Sequence, residues 1–160
     1  MRKVISISTA MLFTTAGVAA AQEVTATQSI SYEVQAISEI SVDGSPSLIV
    51  NSATAGSGLT AASASGTYAI TTNESGQKIT AHIDSDMDSG LTLTVELSAP
   101  DGATSTGATV LSDEPADVVT GIGEVDEAGL SIAYELSATV DAGIVGAANK
   151  TVTFTLTPAA

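Results

Sequence analysis

The chain has no cysteine and no tryptophan. Without thiols, neither disulfides nor thiolate metal ligands can hold it together, and a lipid-modified N-terminal cysteine is excluded. Packing and backbone pairing must supply its stability. Positive charge is scarce as well: four Lys and Arg stand against 18 Asp and Glu, for a formal net charge of −14. Arg2 and Lys3 lie at the extreme N-terminus, so beyond residue 21 only Lys78 and Lys150 offset all 18 acidic residues, a balance of −16. Such a surface repels phosphate backbones and anionic bilayers, which argues against nucleic acid or lipid as a partner. It suits either a saline habitat, where screening suppresses self-repulsion, or the collection of divalent cations. Aromatic residues make up only 3% of the chain, and beyond residue 21 they are Tyr32, Tyr68, Tyr134 and Phe154. All four fall on apolar-face positions, so an aromatic platform for stacking sugar rings is not expected. Beyond residue 21 no apolar run approaches the roughly 20 residues needed to span a bilayer.

The one such run that does occur is N-terminal. In MRKVISISTAMLFTTAGVAAAQ, Arg2 and Lys3 form a positive head, Val4 to Val18 an apolar stretch, and Ala19 and Ala21 the small residues before a cut at Gln22. Residues 1–21 are therefore expected to be a helical secretory signal peptide and residues 22–160 a single domain. The expected location is outside the cytoplasm: secreted, on the cell surface, or periplasmic. About 140 residues suffice for one hydrophobic core.

From Val24 onward apolar residues recur at every second position, the period of a half-buried strand. Ile30, Tyr32, Val34, Ala36, Ile40 and Val42 share one parity, predicting one long strand or two joined by a bend near Ile37. Leu48 to Val50 follow a Gly-Ser-Pro turn, and residues 52–66, rich in Ala, Ser, Gly and Thr, predict a loop. Tyr68 and Ile70, then Ile79, Ala81 and Ile83, flank Asn73-Glu74-Ser75-Gly76, which predicts a hairpin. Leu91 to Leu97 alternate cleanly. Val110-Leu111 and Val118-Val119 straddle Asp113-Glu114-Pro115 as an edge hairpin. After an acidic loop over 121–129, Leu130 to Val140 form the clearest strand, and Val152, Phe154 and Leu156 against four threonines complete the set. No segment beyond residue 21 has a capped helical period. Eight or nine short strands predict an all-β fold, an antiparallel β-sandwich of immunoglobulin-like or related type, with a closed barrel as the alternative.

Chemistry-bearing patterns are few. Asp84, Asp86 and Asp88 in DSDMDSG present hard oxygens at ligand spacing for Ca²⁺, the only cofactor the residues suggest. The match to an EF-hand loop is poor: glycine stands seventh instead of sixth, and Val95 occupies the place of the bidentate Glu. His82 falls on an outward face beside Thr80 and Asp84, without a third partner. No GxSxG elbow selects a nucleophilic serine and no carboxylate pair is singled out, so no catalytic residue is assigned and the protein is expected not to be an enzyme. Asn73-Glu74-Ser75 and Asn149-Lys150-Thr151 fit the glycosylation triplet. The sharper mechanical feature is N-terminal: Val24 and Ala26 continue the parity of Ile30, Tyr32 and Val34. Period alone assigns these five residues to a core face. They either begin the first strand of their own sheet or complete the sheet of a neighbour by strand addition.

ITTNESGQKITAHIDSDMDSG (70–90), SAPDGATSTGATVLS (98–112), DVVTGI (117–122), GLSIAYELSATVDAG (129–143) and TVTFTLT (151–157) resemble a group of small secreted bacterial β-sandwich proteins, mostly uncharacterised. More loosely, the layout is similar to subunits of chaperone-assembled fimbriae or secreted coats, though it lacks a disulfide. The resemblance implies a structural or adhesive surface protein, fimbria-like, associating with itself or with other surface proteins through strand edges. The other reading is a periplasmic or extracellular binding module holding Ca²⁺ or a cationic partner in acidic loops at 84–90 and 113–127.

Overall fold

The computed structural model describes residues 23–159, so the signal segment expected at 1–21 lies outside the described residues. Among the described residues nine strands follow one another: β1 (Ser38–Asp43), β2 (Ala62–Thr72), β3 (Gln77–Ile83), β4 (Leu91–Leu97), β5 (Thr104–Ser105), β6 (Thr109–Val110), β7 (Ala116–Ile122), β8 (Val125–Ala138) and β9 (Val152–Pro158). They pair antiparallel into a five-stranded sheet, β1-β2-β8-β4-β6, and a four-stranded sheet, β5-β7-β3-β9. This is the β-sandwich expected from the alternation. No helix among the described residues is long and apolar enough to cross a membrane.

The core forms because side chains two apart share a face. Tyr68 and Ile70 of β2, Ile79, Ala81 and Ile83 of β3, Leu93, Val95 and Leu97 of β4, and Ile132 and Tyr134 of β8 all lie buried between the sheets. Each large aliphatic among them stabilises the fold by about 1.5–3 kcal/mol relative to exposure. Val118 and Val119 of β7 are adjacent yet both buried. A bulge explains this: Ile79 pairs with Val119 while Thr80 pairs with Asp117, so Val118 is skipped in the register and turns inward. A second irregularity lies where β2 meets β8, between Tyr68 and Ile70, opposite Gly129, whose φ of 73° only glycine adopts readily.

Several expectations are corrected by this arrangement. The long strand predicted from Val24 to Val42 shortens to β1, because only from Ser38 onward does the chain pair with β2, Ile40 facing Ile70. Residues 62–66, expected in a loop, instead form the start of β2, pairing with β8 from Ala62↔Leu136 to Gly66↔Ile132. Their inward positions are Ala and Gly, which carry too little apolar surface to register as a pattern. The predicted hairpins at 73–76 and 113–115 are crossings between sheets, since β2 and β6 lie in one sheet and β3 and β7 in the other. Turn residues report that a chain reverses, and a sandwich arch needs the same chemistry as a hairpin. The acidic loop expected over 121–129 is mostly β8. There Thr71 Oγ1 donates to the Asp126 carboxylate and Glu127 accepts the Asp101 N–H at 2.6 Å.

Candidate functional site

The chain divides between Glu33 and Val34 into two units. In the first, residues 23–33 form no regular strand and every one of them is exposed. Val24 and Tyr32 are each 93% exposed, and Ile30 and Val34 are each 80% exposed, with Ala26 open as well. The core-face assignment of these five residues is thereby corrected. The period-two pattern is real, but these large apolar side chains stand exposed. Tyr32 is equally not a core aromatic, unlike Tyr68 and Tyr134.

In the second unit, Asn73 fixes the entry to β1 with both ends of its carboxamide. Its Oδ1 accepts the Ile37 N–H at 2.7 Å and its Nδ2 donates to the Gln35 carbonyl at 2.8 Å. The Asn73 N–H also donates to the Ile37 carbonyl. Sequence reasoning assigns Asn73 only to a turn and a glycosylation triplet. An asparagine opening a turn is the local signal, but its partner 36 residues upstream carries none.

The two sheets end in four edge strands of different character. β5 and β6 are two residues each, too short to template another chain. β1, SEISVD, presents Glu39 and Asp43. β9, VTFTLTP, is seven residues long and uncharged. It pairs with β3 on one side, Val152↔Ile83 through Pro158↔Gln77. Thr151 accepts the Asp84 N–H and Ala159 donates to the Gly76 carbonyl, so odd positions bond toward β3. Alternation then turns the N–H and C=O groups of Val152, Phe154 and Leu156 to the open side. The side chains of these three residues are only half-buried, packed against the core from its margin.

The acidic turn behaves as a structural connection. Asp84 Oδ1 accepts the Thr151 N–H and Asp86 Oδ1 the Asp113 N–H. Lys150 Nζ donates to Ser85 Oγ at 2.7 Å and to the Asp86 carbonyl at 2.8 Å. Among the described residues no group of three or more His, Asp or Glu side chains comes together to hold a metal, so Asp84, Asp86 and Asp88 are not assembled as a ligand set. Lys78 bridges β3 to β7 through Asp117 at 2.9 Å. His82 lies on β3 opposite Thr153, its Nδ1 closed off without a hydrogen-bond partner.

Two tyrosines have their phenols shifted. Tyr68 donates its hydroxyl to the Ser98 carbonyl at 2.5 Å. Burial, helped by the negative charge of Glu127, pushes its pKa up to about 12. Burial also raises that of Tyr134. On the outer face of the five-stranded sheet, Ser63, Ser65, Thr94, Glu96, Ala133 and Glu135 line a wide shallow trough of about 440 Å³. Its lining combines small and hydroxyl side chains with the carboxylates of Glu96 and Glu135. Neither family models, curated proteins nor solved structures yield a match to this chain.

Proposed function

We propose that this is an exported, non-enzymatic structural or adhesive protein of the cell surface, whose copies associate through strand edges. The observation that carries this reading is the segment from Val24 to Val34, strand-like in period but with its large apolar side chains open to solvent. Exposed apolar surface arranged along a line marks an interaction site. A line of period two fits a sheet edge, where main-chain hydrogen bonds give affinity and alternate side chains give register. Donor segment and receiving edge are different surfaces, so the contact is head-to-tail, and wherever its rotation does not close into a ring it adds copies without limit. Open filaments or a coat follow from such geometry. The signal-like N-terminus supports export, and the acidic surface keeps unassembled copies soluble.

Electron microscopy of the purified exported protein, and of producing cells with antibody labelling, tests the reading. Labelled filaments or a regular coat are expected. Deleting residues 22–34 should abolish them while leaving the monomer folded, because residues 23–34 bury no side chain. Dispersed monomer-sized particles in both preparations would overturn the proposal, and unfolding of the deletion variant would make the segment a part of its own domain.

A further inference from the structure

We infer that the free side of β9 receives residues 24–34 of a second copy, an assignment that rests on the edge-association reading above. Three observations select this edge. The first is availability: β9 ends its sheet, is seven residues long, and turns the backbone groups of Val152, Phe154 and Leu156 to the open side. It carries none of the devices that blunt an edge, neither lysine nor inward charge, and its proline stands at the last position.

The second is side-chain match on both faces. A strand laid beside β9 with its even positions inward would set Ile30, Tyr32 and Val34 next to Val152, Phe154 and Leu156, three large apolar residues against three half-buried ones. Its odd positions, Thr25, Thr27, Ser29, Ser31 and Glu33, would extend the outward row of Thr151, Thr153, Thr155 and Thr157. Hydroxyl side chains on adjacent strands suit each other.

Charge is the third. The donor segment contains Glu33, follows directly on Glu23 and has no cation, and the competing edge, β1, presents Glu39 and Asp43. Like charges on facing strands oppose pairing at β1, whereas β9 sets no acidic side chain directly opposite the segment, the carboxylates of β1 standing on the neighbouring strand packed beside it.

The absence of cysteine makes cross-linking a clean test. Full-length exported protein is prepared as three single variants: Ser31→Cys, carrying an affinity tag, Thr155→Cys on the outer face of β9, and Ser41→Cys on the outer face of β1. Tagged Ser31→Cys is mixed with each partner and treated with a thiol cross-linker of about 8 Å, long enough for directly opposite and diagonal positions on neighbouring strands. The expected result is several-fold more tagged heterodimer with Thr155→Cys than with Ser41→Cys. Preference for Ser41→Cys overturns the assignment. So does a link confined to single molecules of a Ser31→Cys/Thr155→Cys double variant, which places the segment on its own β9. Assemblies that persist under the microscope with no link to Thr155→Cys remove β9 and leave edge association standing. The absence of any assembly removes both.

Discussion

Replacing Tyr68 by phenylalanine separates the two ways in which a buried phenol acts on stability. At neutral pH the variant loses the hydroxyl that donates to the Ser98 carbonyl and leaves that acceptor without this partner. The cost is about 1–1.5 kcal/mol. In alkali the sign reverses. The folded-state pKa stands at about 12 against an ordinary value of 10.0, so the neutral form is favoured by folding. The stabilisation linked to it is complete below the unfolded pKa and is lost as pH rises from that value through the folded one. The full shift is worth about 2.7 kcal/mol, and about half of that is gone by roughly pH 11. The phenylalanine ring of the Tyr68→Phe variant has no proton to lose. Wild type therefore exceeds the variant by about 1–1.5 kcal/mol at pH 7, and the two stability curves cross near pH 11. Urea unfolding of both proteins, followed by circular dichroism at intervals from pH 7 to about 11.5, measures the difference directly, with m-values compared to confirm that the unfolded state is unchanged. Tyr134 titrates in both proteins and cancels in the difference. A gap that stays constant across this range would refute the account of Tyr68 as desolvated.

Leu97→Ala removes a fully buried side chain from β4. It should cost about 2–5 kcal/mol and lower the melting temperature by about 6 °C or more, which scanning calorimetry checks. Gly90→Ala should destabilise by more than about 1 kcal/mol by the same measurement, since Gly90 has a φ of 83° and an added Cβ would stand 2.8 Å from the Ala142 nitrogen. Calcium should raise the melting temperature no more than magnesium at equal concentration, because Asp84 and Asp86 already accept backbone N–H groups and no three carboxylates converge among the described residues. A calcium-specific rise abolished by Asp86→Ala would refute this and favour the cation-binding module.

The architecture is legible wherever large apolar residues alternate. β4 and β9 follow from Leu91, Leu93, Val95 and Leu97 and from Val152, Phe154 and Leu156, and their bounds differ little from expectation. What alternation does not encode is the sheet to which a strand belongs. Asn73 to Gly76 reverse the chain equally well within one sheet or between two, and burial of both flanking faces makes the choice. The opposite failure occurs at Ala62 to Gly66, where the strand exists because β8 needs a partner there and not because its own residues demand burial. Of the candidate site, the apolar parity of Val24 to Val34 is visible in the sequence, and its exposure is not. Period two says that one face avoids water without saying whose surface covers it. The three aspartates show the converse: ligand spacing along the chain does not become a ligand cluster, because Asp84 and Asp86 are used by the β3–β4 connection to hold Thr151 and Asp113.

The charge balance gives edge association a salt dependence of definite sign. Beyond residue 21, two lysines face 18 acidic residues, and in the described structure both are engaged, Lys78 with Asp117 and Lys150 with the Ser85–Asp86 turn. Neither the donor segment nor β9 contains a cation. Pairing them as proposed would form backbone hydrogen bonds and bury apolar side chains while bringing two strongly acidic molecules together, so long-range electrostatics would oppose every addition. Screening weakens that opposition: the Debye length falls from about 30 Å at 0.01 M to about 10 Å at 0.1 M and about 3 Å at 1 M salt. Apolar burial is not weakened over the same range. Assembly followed by light scattering should therefore increase as sodium chloride is raised from about 0.01 M to 1 M, with the steepest change below about 0.1 M. An interface built from ion pairs would dissociate along the same series. Dissociation with added salt would mean that carboxylates, and not the bare edge of β9, carry the contact.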